Sequence, residues 1–184
     1  LEQLLKEQQN VKDIQKKLSS LTNKEENIEQ ELNRALELFK RLKLENDLDQ
    51  AQKMIRKLSQ EQKELSKESG KKDLPLEDLK KQQSEITQKF GEFKRDLDNL
   101  ESLNQELKRP ESLSPTQSSE DNIDESLQEI ADALEEKQRK KAGKKQEETS
   151  EEMKDLSERL ASMQSNMETE TLNENIEDLN RILD

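Results

Sequence analysis

Residues 44–107 read LENDLDQAQKMIRKLSQEQKELSKESGKKDLPLEDLKKQQSEITQKFGEFKRDLDNLESLNQEL. Apolar residues recur in this stretch in alternating steps of four and three. This is the spacing of a helix that buries one narrow stripe against another helix. The pattern stops at Gly70 and resumes after Pro75. Glycine is favoured just past a helix end and proline at a helix start, so the sequence predicts two helices joined by a turn at 69–75.

The two stripes match when the second helix folds back on the first, because the numbers of opposed seam residues then add up to 144 or 145. In this register the small Ala51 faces the bulky Phe93, and Gln62 faces Gln83. Polar seam residues fix register at some cost in stability, and we assign this role to Gln62, Gln83 and Asn104. We therefore predict an antiparallel coiled-coil hairpin. Its apolar seam consists of Leu44, Leu48, Ala51, Ile55, Leu58, Leu65, Leu79, Ile86, Phe90, Phe93, Leu97 and Leu100.

The composition also favours helical seams over a thick core. Of 184 residues, 41% are charged and only 27% are hydrophobic, with a net charge of -12. An ordinary domain has roughly 45–50% apolar residues, whereas a coiled coil needs about two positions in seven. We predict an all-α, bundle-like protein without a sheet, built from an elongated antiparallel coiled-coil hairpin and two further helices.

The chain before the hairpin has neither Pro nor Gly up to residue 68 and continues the heptad pattern. We expect residues 1–108 to form one long helix and the hairpin. Between Leu32 and Leu44 apolar residues lie on more than one side, which indicates contact with more than one helix. The candidate partner contacts here are Leu32, Leu36 and Phe39, and self-association through residues 11–35 is a further expectation. The heptad rows are Val11, Leu18, Leu32 and Phe39, and Ile14, Leu21, Ile28, Ala35 and Leu42.

Residues 109–121 are rich in Ser and Pro and lack periodicity, so we predict a flexible loop there. Helices are expected at about 122–168 and 171–184, each opened by a capping box. Within the first of these, the charged stretch 135–152 has no apolar seam. A continuous helix is the preferred interpretation, and a break at Gly143 is the alternative.

Two further features are candidate partner contacts. Met153, Met163 and Met167 share one helix stripe, which is either core or an adaptable groove. Gly91 lies inside a predicted helix, where glycine costs about 1 kcal/mol relative to alanine. A close approach by another backbone would offset that cost, so Gly91 marks a packing or docking point.

The residues needed for common catalytic chemistry are missing from the sequence. There is no Cys and no His, so the usual nucleophile–base pairs cannot form. The acidic clusters lack the ligand spacing of a calcium loop, and no Gly-rich phosphate loop occurs. We predict no enzyme activity, no catalytic residue, no cofactor and no metal.

The basic run at 137–145 is interpreted as a solvated helix face, because Glu135 and Glu136 precede Arg139 and Lys140 at the favourable spacing of four. We therefore expect no nucleic-acid partner. No stretch approaches the ~20 apolar residues that cross a bilayer, so direct membrane contact is not expected from this segment. The sequence begins without Met and ends within a helical pattern, and we expect it to be a segment of a larger protein.

Three stretches carry a family resemblance: 31–42 (ELNRALELFKRL), 140–146 (KKAGKKQ) with the methionine stripe after it, and 175–183 (NIEDLNRIL). They resemble an uncharacterised family of large, membrane-anchored bacterial envelope proteins with long helical coiled-coil regions. The resemblance covers most of the chain, and LELFKR at 36–41 is its most specific part. It implies transmembrane helices outside this segment and a periplasmic location in the cell envelope, and it supplies no catalytic residues.

The sequence thus favours a non-catalytic structural or scaffolding segment that binds protein partners, with self-association among the options. The alternative is a regulatory or signal-transmitting helical binding module, in which the polar seam layers act as a switch.

Overall fold

A computed structural model describes the backbone of residues 2–71 and 74–183 and the side chains of residues 16, 24–71 and 74–169. All secondary structure in the described residues is helical. The chain forms α1 (Glu2–Ser69), α2 (Leu76–Gln105), α3 (Gln117–Glu135) and α4 (Arg139–Leu183). The predicted all-α, bundle-like class is confirmed.

The chain divides into two compact units, Leu1–Leu42 and Lys43–Asp184, with the division inside α1. The first unit is a single stretch of helix. A long helix forms here because residues 1–42 contain no Gly or Pro and are rich in Glu, Lys, Gln and Leu, which favour helix. The second unit contains the end of α1, all of α2 and α3, and α4.

Neighbouring helices of the second unit run antiparallel. Gln52 bonds to Ser157 and Ser59 bonds to Ser150, so residue numbers rise along α1 as they fall along α4. The same opposed order appears between α2 and α3, where Lys80 pairs with Glu135 and Lys94 pairs with Asp124. Between α3 and α4, Ser126 bonds to Glu152 and Glu129 pairs with Lys145. Between α1 and α2, Glu61 pairs with Lys89 and Gln62 bonds to Gln83.

The predicted seam lies in a core that all four helices share. Its twelve apolar residues are at most 8% exposed. The same hydrophobic cluster includes Ile123, Leu127, Ile130 and Leu134 of α3 and Met153, Leu156 and Leu160 of α4. A two-helix seam is therefore too narrow a description, since α3 and α4 cover the sides that a hairpin alone leaves open to water. In the first unit, Leu32, Leu36 and Phe39 are each more than half exposed.

The loop before α3 is shorter than predicted. Residues 106–116 are irregular, and α3 begins at Gln117 rather than at 122. Glu120 and Ile123 are buried, so the helix starts early enough to bring both into the core. Asn122 is therefore inside α3, and the expected capping box there is wrong.

The break between the last two helices falls at residues 136–138, where Lys137 has a positive φ of 59°. Both predicted alternatives for 135–152 are wrong, because the chain reverses before Arg139 and Gly143 lies inside α4. The second predicted break, at 168–171, is also absent, since α4 continues to Leu183. The reversal allows α3 and α4 to bury apolar faces against each other, which one continuous helix could not do.

Candidate interaction surface

An apolar face lies exposed on α1 in the first unit. Its large side chains are each more than half exposed: Ile28 68%, Leu32 67%, Leu36 51%, Leu38 58%, Phe39 64% and Leu42 55%. Soluble proteins rarely leave contiguous apolar patches larger than a few hundred Å² uncovered, and such patches mark interaction sites. Together with the exposed Ala35, we call these residues the α1 apolar face.

The α1 apolar face is wider than the stripe of a simple two-helix coiled coil. At about 100° per residue, residues 28, 32, 35, 39 and 42 fall in one stripe along the helix. Leu36 lies on one side of that stripe and Leu38 on the other. In heptad terms these two occupy positions that flank the seam, where charged residues are usual. The face can therefore bury more area than its heptad rows alone.

The free energy available from covering this face is large. Burying a leucine, isoleucine or phenylalanine side chain completely stabilises by about 1.5–3 kcal/mol. Covering the six partly exposed side chains would contribute roughly 5–10 kcal/mol from this chain alone, before any contribution from the partner. Protein association costs about 4–15 kcal/mol in lost translational and rotational freedom. A partner with a similar face can therefore bind.

Charged residues border the face on its N-terminal side. Lys24, Glu25, Glu29 and Glu31 are all exposed, and Glu31 pairs with Arg34 at 2.9 Å on the same helix. Exposed pairs of this kind contribute about 0–1 kcal/mol, so they leave these side chains available for a partner.

The other predicted partner contacts lie elsewhere. Met153, Met163 and Met167 are at most 5% exposed and belong to the core of the second unit, so a partner cannot reach them in this conformation. A Cβ added at Gly91 would meet no atom within 4 Å. The close backbone approach expected at Gly91 is therefore absent from the described residues.

The close approach occurs instead at Gly143, which is buried. A Cβ there would lie 3.2 Å from the Ser66 carbonyl oxygen and 3.3 Å from Ser69 Cβ. A side chain at position 143 would require α4 or the end of α1 to shift by a few tenths of an ångström. The sequence signal was present in the small residues Ala142 and Gly143, but the dense charge around them concealed a buried position.

A polar layer crosses the core of the second unit. Gln62 and Gln83 hydrogen-bond to each other through both amides, at 3.0 and 3.3 Å. Gln146 Nε2 donates to Gln83 Oε1 at 2.9 Å, and Ser69 Oγ donates to Gln146 Oε1 at 2.6 Å. All four side chains are at most 2% exposed. The layer joins α1, α2 and α4, and Gln146 and Ser69 are members that the heptad pattern did not identify.

Asn104, the third predicted polar seam residue, has a different role. Its side chain donates to the Glu111 carbonyl oxygen at 3.0 Å and accepts from the Glu111 backbone N–H at 2.8 Å. These two bonds hold the loop that follows α2. Asn104 therefore braces the loop rather than pairing across the helices.

A cavity of about 270 Å³ lies beside this loop and is lined by Leu97, Leu113, Leu160 and the buried Glu120. Burial raises the pKa of the Glu120 carboxyl above its usual value, and a hydrogen bond from the Thr116 hydroxyl partly opposes the increase. Thr116 also accepts the Glu120 backbone N–H, so the pair supports the start of α3.

Ion pairs connect helices of the bundle, and one of them includes a lysine of the basic run at 137–145. Lys145 lies 2.9 Å from Glu129 of α3, and its hydrogen bond lowers the pKa of the Glu129 carboxyl. Lys63 of α1 likewise pairs with Glu151 of α4 at 2.8 Å and lowers the pKa of that carboxyl. These residues connect helices of the bundle.

Within the described part of the chain, no group of three or more acidic side chains is arranged to hold a metal ion. No described helix contains an apolar stretch long enough to cross a membrane. Comparison with known proteins found no matching family model, no matching curated protein and no matching solved structure.

Proposed function

We propose that this chain is a non-catalytic structural or scaffolding segment that mediates protein–protein interaction through the α1 apolar face. The observation that carries the proposal is the set of six large apolar side chains left more than half exposed within fifteen residues, 28–42. Exposed aliphatic and aromatic side chains at heptad spacing bind other helices. They offer no groups for acid–base or nucleophilic chemistry.

The second unit serves as the folded support. Its core joins four helices, and the buried side chains of Gln62, Gln83 and Gln146 are paired across helices. The proposed location is the periplasmic side of the bacterial cell envelope, in a larger membrane-anchored protein. That location rests on the resemblance of residues 31–42, 140–146 and 175–183 alone.

The experiment compares native complexes of the protein from its own cells. Leu32→Glu with Phe39→Glu places two charges on the α1 apolar face. Gln30→Glu with Asn33→Glu adds the same charge to the opposite side of α1, where both residues are exposed. After chemical crosslinking and gradient sedimentation, the face variant should lose its complex and the control should keep it. An unchanged complex in the face variant would contradict the proposal.

The second candidate function is a regulatory or signal-transmitting module, which the buried polar layer favours. A layer of hydrogen bonds across three helices has alternative pairings that a sliding helix could adopt. A cysteine pair at positions 58 and 86 would report such sliding. A crosslinking yield that changes with ligand or load supports this candidate, and a constant yield argues against it.

A further inference from the structure

We propose that the α1 apolar face is covered by residues 11–25 of α1 in a second copy of this chain, with the two α1 helices antiparallel. Opposed seam positions then have residue numbers that add up to 53, so position 21 faces 32 and position 25 faces 28. This rests on the proposed function and identifies the partner and its orientation.

Glu25 decides against a parallel pair. It occupies a seam position, with Ile28 the next seam residue along the helix. In a parallel pair in register, Glu25 would face Glu25 of the other copy inside the seam, and like charges at close range repel. In the antiparallel pair each Glu25 faces Ile28 of the other copy, and the carboxylates can turn to the edge of the seam.

The charges at the border of the face complete this pairing. Lys24 and Glu31 occupy the same flanking position of the heptad, one residue before a seam residue. Across an antiparallel coiled coil, this position lies beside the same position of the other helix. In the proposed register, Lys24 of one copy lies beside Glu31 of the other, and the two-fold axis produces this ion pair twice. Both side chains are exposed and can reach a partner.

Side-chain size supports the same orientation. A parallel pair would stack Ala35 on Ala35, which leaves a gap, next to Phe39 on Phe39. The antiparallel register places position 35 opposite Leu18 and position 39 opposite Ile14 in the sequence pattern. The small Ala35 then faces a larger residue and the bulky Phe39 faces a smaller one, as well-packed cores require.

A second antiparallel register is less suitable. Centring the pair near residue 37 would place Ile28 opposite Asn46 and extend the pairing past residue 42 into the stretch that contains Leu48 and Ala51. Those two side chains are 0% and 3% exposed, since they are already part of the core of the second unit. The register with a sum of 53 avoids that conflict, because it uses residues 11–42 only.

The first measurement is the mass of the purified chain in solution, by light scattering at micromolar concentration. We expect a dimer for the unchanged chain and for Gln30→Glu with Asn33→Glu, and a monomer for Leu32→Glu with Phe39→Glu. Lys24→Glu should weaken the dimer about tenfold, since two ion pairs become repulsive, and adding Glu31→Lys should restore it. A monomeric unchanged chain would overturn the proposal, and so would a swap that does not restore the dimer.

The second measurement determines orientation with introduced cysteines, because the chain has none of its own. Leu21→Cys and Leu32→Cys are prepared separately, with tags of different size, and oxidised alone and mixed. We expect a disulfide-linked dimer chiefly in the mixture, between one copy of each variant. Each variant crosslinking with itself would show a parallel pair and overturn the proposal.

These outcomes separate the inference from the proposed function. A purified chain that stays monomeric while complexes in cells still depend on the α1 apolar face would refute self-pairing and leave protein binding intact. A monomeric purified chain, together with complexes in cells that do not depend on the α1 apolar face, would refute both self-pairing and protein binding through this face.

Discussion

Two glycines inside helices have opposite surroundings, and this makes them a matched pair for mutation. At Gly91 an added Cβ meets open space, so Gly91→Ala should raise the free energy of unfolding by about 1 kcal/mol through helix propensity. At Gly143 the same Cβ meets the Ser66 carbonyl oxygen at 3.2 Å, and this backbone atom cannot easily move. Gly143→Ala should therefore destabilise by about 1–2 kcal/mol, as overpacking does. Urea denaturation measures both, and equal effects would contradict the packing of α4 on α1.

A buried carboxyl gives a prediction for pH. Burial raises the pKa of Glu120 above 4.5, so the native state holds its proton to higher pH than the unfolded state does. Its contribution to stability is full below the unfolded pKa and is lost as pH rises through the native pKa. Glu120→Gln keeps an acceptor for Thr116 and removes the ionisation. It should raise the free energy of unfolding at pH 7, and the gain should vanish below about pH 4.

Urea denaturation between pH 4 and pH 8 tests this, with Glu125→Gln as control, since Glu125 is exposed on the same helix. The control should show no comparable gain at neutral pH. A gain for Glu120→Gln that is the same at all pH values would refute ionisation of a buried group as the cause.

Between helices, the polar layer of Gln62, Gln83, Gln146 and Ser69 determines how the elements fit together. Gln83→Leu removes the partner of two buried amides, so it should destabilise by about 1–3 kcal/mol. Replacing the three glutamines by Leu and Ser69 by Ala removes every unpaired group at once. That variant should be at least as stable as the unchanged protein, because an apolar layer needs no hydrogen bonds. Equal destabilisation of the two variants would contradict this expectation. It would show that the hydrogen bonds of the polar layer stabilise the protein more than an apolar layer does.

The reversal between α3 and α4 depends on Lys137, which has a φ of 59°. A side chain in this left-handed region costs roughly 1–2 kcal/mol, a cost that glycine avoids. Lys137→Gly should raise the free energy of unfolding by up to about 1 kcal/mol, after the greater flexibility of glycine in the unfolded chain is counted. The neighbouring Gln138→Gly gains no such relief and should destabilise. Thermal unfolding of the two variants gives the comparison, and stabilisation by both would contradict the observed turn.

For the whole molecule, sequence periodicity predicted the helical class and the twelve seam residues that the structure buries. It could do so because Leu, Ile and Phe at heptad spacing have few alternatives to a shared helix seam. The sequence predicted less well where the C-terminal helices begin and end, and which of their residues pack against other helices. The turn at Lys137 has no glycine or proline to mark it, and Ala142, Gly143 and Gln146 are buried although they are small or polar. Tertiary packing determines both the position of this turn and the burial of these residues, and the spacing of apolar residues in the sequence does not reveal either one.

For the candidate site too, the sequence pattern identifies apolar stripes but not which of them other helices cover. The sequence pattern selected Leu32, Leu36 and Phe39 as candidate contacts because they form an apolar belt on a charged helix, and the structure shows that they are exposed. The methionine stripe has the same appearance in sequence, yet its side chains are buried in the core of the second unit. Only the positions of neighbouring helices separate a covered stripe from an uncovered one.

The most direct measurement of the central claim is site-specific photo-crosslinking in the cells that make this protein. A photoreactive residue is placed at Leu36 on the α1 apolar face and, in a separate variant, at Gln30 on the opposite side of the same helix. The account predicts strong protein adducts from position 36 and few from position 30. Equal adducts from both positions, or none from position 36, would contradict the claim that this face is the working surface of the molecule.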